Sequence, residues 1–207
     1  MKLKNIKLLY QGLTRLRINS TKAQKNKLLV FIEELLLWNQ KLNLIGTNNE
    51  KEIVIKHILD VLTPLSCFRK IPGNIADLGS GGGFPGIPLS IFLPHRITLI
   101  ESKQKKINFL NHIINTLQLP HTTALCQNIN EVKKKFSIIT ARALADTGKI
   151  KKITRKCTLP DTVYMLYKGK KTVINKEITG LEQYRCRIIP LQVPFAAMER
   201  NLLKIKK

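Results

Sequence analysis

Asp77-Leu78-Gly79-Ser80-Gly81-Gly82-Gly83 sets an acid beside a cluster of glycines, and this is the segment of the chain best suited to ligand chemistry. A short apolar run precedes it and Phe84-Pro85-Gly86-Ile87-Pro88-Leu89 follows. That pattern predicts a strand, a glycine turn and a helix start, the place where many open α/β sheets hold a nucleotide-like ligand. Glycine suits the turn because the chain bends sharply and a ligand must approach bare backbone. The helix that follows offers free N–H groups and a positive dipole end.

The flanking residues favour S-adenosylmethionine over a dinucleotide. A dinucleotide fingerprint runs G-x-G-x-x-G, its third glycine letting helix and strand pack closely. Here the glycines fall as G-x-G-G-G, and Phe84 stands at the third spaced position. S-adenosylmethionine has no pyrophosphate but carries an ammonium and a sulfonium, so the carboxylate of Asp77 beside the turn is electrostatically reasonable. A second strand, Ile97-Thr98-Leu99-Ile100, ends in Glu101. That acid lies about 20 residues past the loop, the position suited to ribose hydroxyls. Asp77, the loop Gly79, Ser80, Gly81, Gly83 and Phe84, and Glu101 form the candidate cofactor site.

These groups need a sheet to hold them. Apolar residues at Leu28, Phe31, Ile32, Leu35, Trp38 and Leu42 predict an amphipathic helix from Lys22 to Leu44, capped by Ser20 or Thr21. A second helix is predicted from Glu50 to about Phe68, and Pro72-Gly73-Asn74 marks a turn before the first strand. Residues 1–72 therefore read as a helical extension and 73–207 as the sheet domain. Beyond Glu101, Ser102 is expected to cap a helix with Ile107, Leu110, Ile114 and Leu117 on its apolar face. Thr122 to Cys126, Phe136 to Ala141 and Thr162 to Tyr167 read as strands three to five, with helices near 129–134, 148–156 and 172–182. Two closing strands near 185–191 and 202–205 have no helix between them and should pair antiparallel. The result is an α/β fold, a seven-stranded Rossmann-like sheet of the class I methyltransferase type.

Ligands bind beyond the carboxyl ends of the strands in such a sheet. Gln127 and Asn128 follow strand three and suit an adenine edge. Arg142, between Ala141 and Ala143, follows strand four, and Lys168-Gly169 follows strand five. Cations there would face a phosphate backbone or a guanine edge.

Composition narrows the partner. Thirty-six lysines and arginines against 13 acids give a formal charge of +23, which points to a phosphate-rich partner. Lys149, Lys151, Lys152, Arg155 and Lys156 crowd one predicted helix. The four cysteines, Cys67, Cys126, Cys157 and Cys186, have no zinc spacing, and no metal site is expected. No window approaches a membrane span, and no signal sequence follows the lysine-rich start, so a cytoplasmic protein without membrane partners is expected.

Over nearly its whole length the chain resembles the bacterial small-subunit ribosomal RNA guanine-N7 methyltransferases, the glucose-inhibited division protein B family. The matching segments are Trp38-Asn39-Gln40-Lys41-Leu42-Asn43-Leu44, His57-Ile58-Leu59-Asp60, Asp77 to Leu89, Ala141-Arg142-Ala143, Lys168-Gly169 and Glu199-Arg200-Asn201-Leu202. The resemblance implies methyl transfer from S-adenosylmethionine to N7 of a guanine in 16S ribosomal RNA, as naked RNA or within the small ribosomal subunit. Guanine N7 has an in-plane lone pair and no proton, so direct in-line attack needs no general base. The resemblance makes Arg142, Lys168 and Arg200 the substrate-positioning cations, with Arg142 also near the cofactor. It places His57 and Asp60 near the cofactor cleft, in a structural or gating role, and a monomer is the default.

The sequence departs from the family at three places. Asn128 stands where an arginine is common, Ser137 where an aspartate is common, and Glu101 where an aspartate is more frequent. Two rival functions keep part of this reading: an S-adenosylmethionine methyltransferase of a protein or small molecule, and a non-catalytic RNA-binding assembly factor.

Overall fold

The computed structural model describes all 207 residues. Seven strands form one sheet: β1 (Ile75–Leu78), β2 (Ile97–Glu101), β3 (Thr122–Cys126), β4 (Phe136–Arg142), β5 (Thr158–Lys168), β6 (Arg185–Leu191) and β7 (Arg200–Lys206). Their spatial order is β3-β2-β1-β4-β5-β7-β6. The first five strands are parallel, and β7 lies antiparallel between β5 and β6. All four residues of β1 are buried, as expected for a central parallel strand covered on both faces.

The helices are α1 (Leu3–Arg15), α2 (Lys22–Leu42), α3, α4 (Leu65–Arg69), α5 (Gly86–Phe92), α6 (Gln104–Thr116), α7 (Thr147–Ile153) and α8 (Lys171–Ile178). Helix α3 runs through three consecutive segments, Glu50–Glu52, Ile53–Leu59 and Asp60–Leu62, of which the middle one is π-helical. Helices α1 to α6 supply apolar residues to a core of 38 buried residues on one face of the sheet. On the other face, Ile150 of α7 and Ile174 of α8 join a core of 14.

The N-terminal helices share the larger core with the sheet. Phe31 of α2 lies 5.2 Å from the Phe84 ring, and Leu9, Leu28, Leu59 and Phe68 are fully buried in the same cluster. Each such side chain contributes roughly 1.5–3 kcal/mol of burial free energy. Thr21 accepts a hydrogen bond from the Gln24 amide, while the Gln24 side chain accepts one from Thr21 N–H, closing a capping box.

Several expected boundaries shift. Within the helical extension expected over residues 1–72, helix α1 occupies the lysine-rich N-terminal stretch, for which no individual helix was delimited, and buries Leu9 and Leu13. The single helix expected from Glu50 to Phe68 breaks at Thr63-Pro64, because proline cannot continue the hydrogen-bonded ladder. Ser102 is not the cap of α6. Its N-cap is Lys103, and the Glu101 carboxylate instead accepts from the Ser102 and Lys103 amides. Strand β5 starts at Thr158, so Pro160-Asp161 lies inside it, beside a register shift between Phe136 and Ile138 of β4. Helix α7 stops at Ile153, leaving Arg155 and Lys156 outside it. Trp38, on the apolar stripe of α2, is half-buried against Phe109 and His112, with ring centroids 5.7 and 5.3 Å away.

Candidate active site

The parallel register aligns the strand ends that carry the predicted site. Leu78 pairs with Ile100 on one side and with Ala141 on the other, and Arg142 pairs with Tyr167. Antiparallel β7 then starts at the edge where the parallel strands finish, since Lys168 pairs with Asn201. Arg200 therefore joins Glu101, Arg142 and Lys168 along one rim.

The glycine loop leaves β1 with Gly79, Gly81 and Gly83 all at positive φ (64°, 51° and 87°). An added Cβ at Gly81 would find nothing closer than Gly79 O at 3.7 Å and Lys106 Nζ at 3.9 Å, so the backbone is open there. Glu101 organises this edge: Oε2 accepts from Gly81 N–H at 3.2 Å and Oε1 from Ser102 and Lys103 at 2.9 and 3.0 Å. Ser80 turns inward and donates to the Asp77 carbonyl at 3.0 Å.

Asp77 lies beneath the loop. It is fully buried, and its Oδ2 accepts from Gly86 N–H at 3.0 Å, pinning the start of α5. Its Oδ1 has no hydrogen-bond partner, and burial pushes the carboxyl up to about 7 despite the Gly86 bond. Phe84 also faces inward, with the rings of Phe31 and His57 at 5.2 and 5.1 Å. Gln127 is half-buried and Asn128 exposed at the end of β3, on the Glu101 side of the rim.

A second group of residues lies at the ends of β4, β5 and β7. The Asp60 carboxylate, 1% exposed, sits between two guanidiniums: Arg142 Nη2 and Arg200 Nε are each 3.5 Å from it. Arg142 also donates to the Lys56 carbonyl at 2.7 Å, and its Nη1 lies 3.5 Å from His57 Nδ1. Lys56 and His57 belong to the π-helical segment and Asp60 follows it directly. π-Helical turns inside α-helices are frequent at functional sites. Ala143, immediately after Arg142, holds φ at +51°, an unusual conformation for a residue with a Cβ.

Charge in this cluster is strongly perturbed. Burial, reinforced by the Arg142 charge, pushes the His57 imidazole down to about 4, so the ring is neutral at pH 7. Burial raises the Asp60 carboxyl, with Arg142 and Arg200 pulling it back. Arg142 is lowered by the same desolvation, opposed by Asp60. Tyr167 packs beneath them and donates to the Val61 carbonyl at 2.7 Å, tying β5 to α3.

Lys168 is not a free cation. Its Nζ donates to Glu177 Oε2 at 2.6 Å and to the Ala145 carbonyl at 3.1 Å. The same Glu177 oxygen accepts from the Thr147 amide and hydroxyl at 3.0 and 2.6 Å. Burial works against the Glu177 charge, but the bonds from Lys168 and Thr147 outweigh it and hold the carboxyl below the usual range. Asn201 donates to the Gly169 carbonyl at 2.7 Å and so fixes the turn after Lys168.

Asp60, Arg142, Lys168, Glu177 and Arg200 line one cavity of about 450 Å³, floored by Tyr167 and by Ala141 to Ala145. The structure thus brings Arg142, Lys168 and Arg200 together, and it gathers the glycine loop and Glu101 as a separate group beside them. Asp60, which the sequence placed at the cleft without a defined contact, is the hub of the cation pair. Sequence reasoning missed Glu177, and it named Asn201 only within a family-matching segment, without a role. The one available signal for Glu177 was scarcity, since it is one of only 13 acids in a strongly basic chain.

Residues 24–203 match the family model described as rRNA small subunit methyltransferase G. The chain belongs to that family. A ribosomal RNA small subunit methyltransferase G from Psychrobacter sp. (strain PRwf-1) is 31% identical over 97% of this chain and 90% of its own length. A protein of the same name from Caldanaerobacter subterraneus subsp. tengcongensis is 34% identical, over 100% of this chain and 92% of its own. Among solved structures, an O-methyltransferase from Bacillus cereus in complex with SAH superposes with a TM-score of 0.60 at 16% identity, covering 95% of this chain and 96% of its own. A ribosomal protein L11 methylase from Lactobacillus delbrueckii subsp. bulgaricus gives a TM-score of 0.59 at 13% identity, over 78% of this chain and 81% of its own. These last two likenesses establish the class I methyltransferase fold. No helix is long and apolar enough to cross a membrane.

Proposed function

We propose that this member of the rRNA small subunit methyltransferase G family transfers a methyl group from S-adenosylmethionine to N7 of one guanine in 16S ribosomal RNA. It works as a cytoplasmic monomer on the small ribosomal subunit or its RNA. The observation that carries this reading is the pair of guanidiniums, Arg142 and Arg200, held over a 450 Å³ cavity beside the glycine loop. The family match supplies the substrate class.

The loop fits the cofactor. Its backbone is open at Gly81, Lys106 Nζ lies close by, and the Glu101 carboxylate borders it with lone pairs to spare. In this reading the loop amides and Lys106 hold the carboxylate of the methionine moiety, Glu101 takes the ribose hydroxyls, and Gln127 and Asn128 meet the adenine. Asp77 acts from beneath the loop without contact, and the cationic part of the ligand favours its ionised form against the burial that raises it. When bound, S-adenosylmethionine supplies an electrophilic methyl on a sulfonium.

No residue of this chain has to take a proton, because guanine N7 bears none. His57, neutral and wedged between Phe84 and Arg142, serves packing and not acid–base chemistry. Arg142 and Arg200 draw in RNA phosphate or the guanine O6 edge, and Asp60 sets the direction in which their remaining N–H groups point. Lys168 contributes shape more than charge, since Glu177 neutralises it. The buried floor excludes water, and rate comes from orienting N7 toward the methyl. Residues 1–72 serve as an extension that supplies Asp60 and His57 to this site.

Methyl transfer from labelled S-adenosylmethionine to small subunits lacking the modification, followed by mapping of the label, tests the reading. Label at N7 of a single 16S guanine is the expected result. Cofactor binding without any transfer to the subunit would send the activity to a protein or small-molecule substrate.

A further inference from the structure

The mechanism uses Glu177 only to neutralise Lys168. A carboxylate in a cavity that receives RNA is costly in two ways. It cancels the Lys168 cation that could have met phosphate, and it lies in the last turn of α8, where the helix dipole disfavours negative charge. The chain has only 13 acids to place and puts this one, with a side chain 16% exposed, into the same cavity as Arg142 and Arg200. Its hydrogen bonds are also one-sided. Lys168 Nζ, Thr147 N and Thr147 Oγ1 all converge on Oε2 and lock the carboxylate in place, and Oε1 accepts none.

A fixed carboxylate oxygen in the same cavity as two guanidiniums is complementary to one purine edge. Guanine presents a 2-amino group and an N1–H next to the O6 acceptor, whereas adenine presents a single amino donor beside an unprotonated N1. We infer that Glu177 Oε1 is the specificity-determining acceptor for the target base, taking a hydrogen bond from the guanine 2-amino group while the guanidiniums of Arg142 or Arg200 meet O6. The assignment rests on the guanine reading above and adds the group that enforces it. Thr147 and Lys168 are positioning residues in this arrangement, since they set the Glu177 rotamer and leave the outer oxygen for the base.

The test uses small subunits reconstituted with either guanosine or inosine at the methylated position. Inosine keeps N7, O6 and N1–H and lacks only the 2-amino group. The wild-type protein is expected to methylate the inosine subunit with kcat/KM lower by about 10- to 100-fold, the range of one hydrogen bond to a charged acceptor. Glu177→Gln is expected to lose that discrimination. The three donors from Lys168 and Thr147 would draw the amide oxygen to the inner position and leave an NH₂ facing the base. Binding of both subunits without cofactor, measured by competition, should show the same wild-type preference and its loss in the variant.

Equal wild-type rates on the two substrates would overturn the inference, and that comparison needs no variant to fold. It would also fail if Glu177→Gln slowed both substrates alike and kept the preference, because Glu177 would then only hold Lys168 and Thr147. Absence of methylation on the guanosine subunit would instead remove the rRNA reading itself, so the two failures are distinguishable.

Discussion

Asp60→Asn removes one charge and almost no volume from the centre of the cation cluster. At an effective dielectric near 20, a guanidinium 3.5 Å from the carboxylate attracts it by ~5 kcal/mol, and Asp60 has two such partners. Burying a carboxylate that is 1% exposed offsets much of this, which is why Asp60 is raised and not lowered. What the variant leaves behind decides the outcome: two guanidiniums with no countercharge, one of them largely buried. Removing one partner of a buried pair costs about 3–5 kcal/mol, and the low end applies because the Arg200 side chain, 30% exposed, can turn to water. For a chain of this length ~3 kcal/mol lowers Tm by about 6–12 °C. Arg142 keeps its bond to the Lys56 carbonyl, so Arg200 loses more of its alignment. Loss of one charge-assisted contact predicts kcat/KM lower by about 10- to 100-fold. Calorimetry and methyl transfer to small subunits read the two effects separately. If Asp60→Asn melts with the wild type and transfers at full rate, the two arginines are held by something else and the clamp is wrong.

Three further outcomes follow from the same geometry. Because the Asp77 carboxyl is raised to about 7, the folded state holds a proton there that the unfolded chain releases near pH 4. Its stabilising contribution is present in full below about pH 4 and is lost as pH rises through 7. Relative to Asp77→Asn, the wild type should therefore lose stability across that window, measured by urea unfolding at several pH values; parallel curves would contradict it. Gly86→Ala places a Cβ against Leu99 and the Asp77 carboxylate, and overpacking of about 1–3 kcal/mol should lower Tm by several degrees and weaken cofactor binding by calorimetry. Arg200→Ala should lower the slope of log affinity for the subunit against log salt by about 0.7–0.9 if the guanidinium meets a phosphate; an unchanged slope with weaker binding would assign it to a base edge.

The order of elements and the cofactor loop were legible in the chain because they depend on short-range chemistry. Alternation of apolar runs with helix-period stretches predicted strands close to their observed positions, and the glycines at 79, 81 and 83 do take the left-handed conformations that the turn demands. The acid at 101 lies at the end of β2, beside the loop, as its spacing implied. Boundaries failed where a local signal had a tertiary competitor. Ser102 is a good capping residue, yet the buried Glu101 carboxylate takes the amides at the start of α6 first.

By itself the sequence determined the class of fold, the glycine cradle, the cationic character of the strand ends and the family resemblance. The pairing of those charges was decided only by tertiary structure. Arg142 and Arg200 meet because β7 runs antiparallel and starts at the edge where β4 ends, and Asp60 reaches both from a helix some 80 and 140 residues away in sequence. Lys168 read as a free cation until α8 folded back and set Glu177 on it. Long-range electrostatics of this kind depends on distances that no local pattern encodes, so composition could announce an RNA-binding surface but not which of its charges are free to bind.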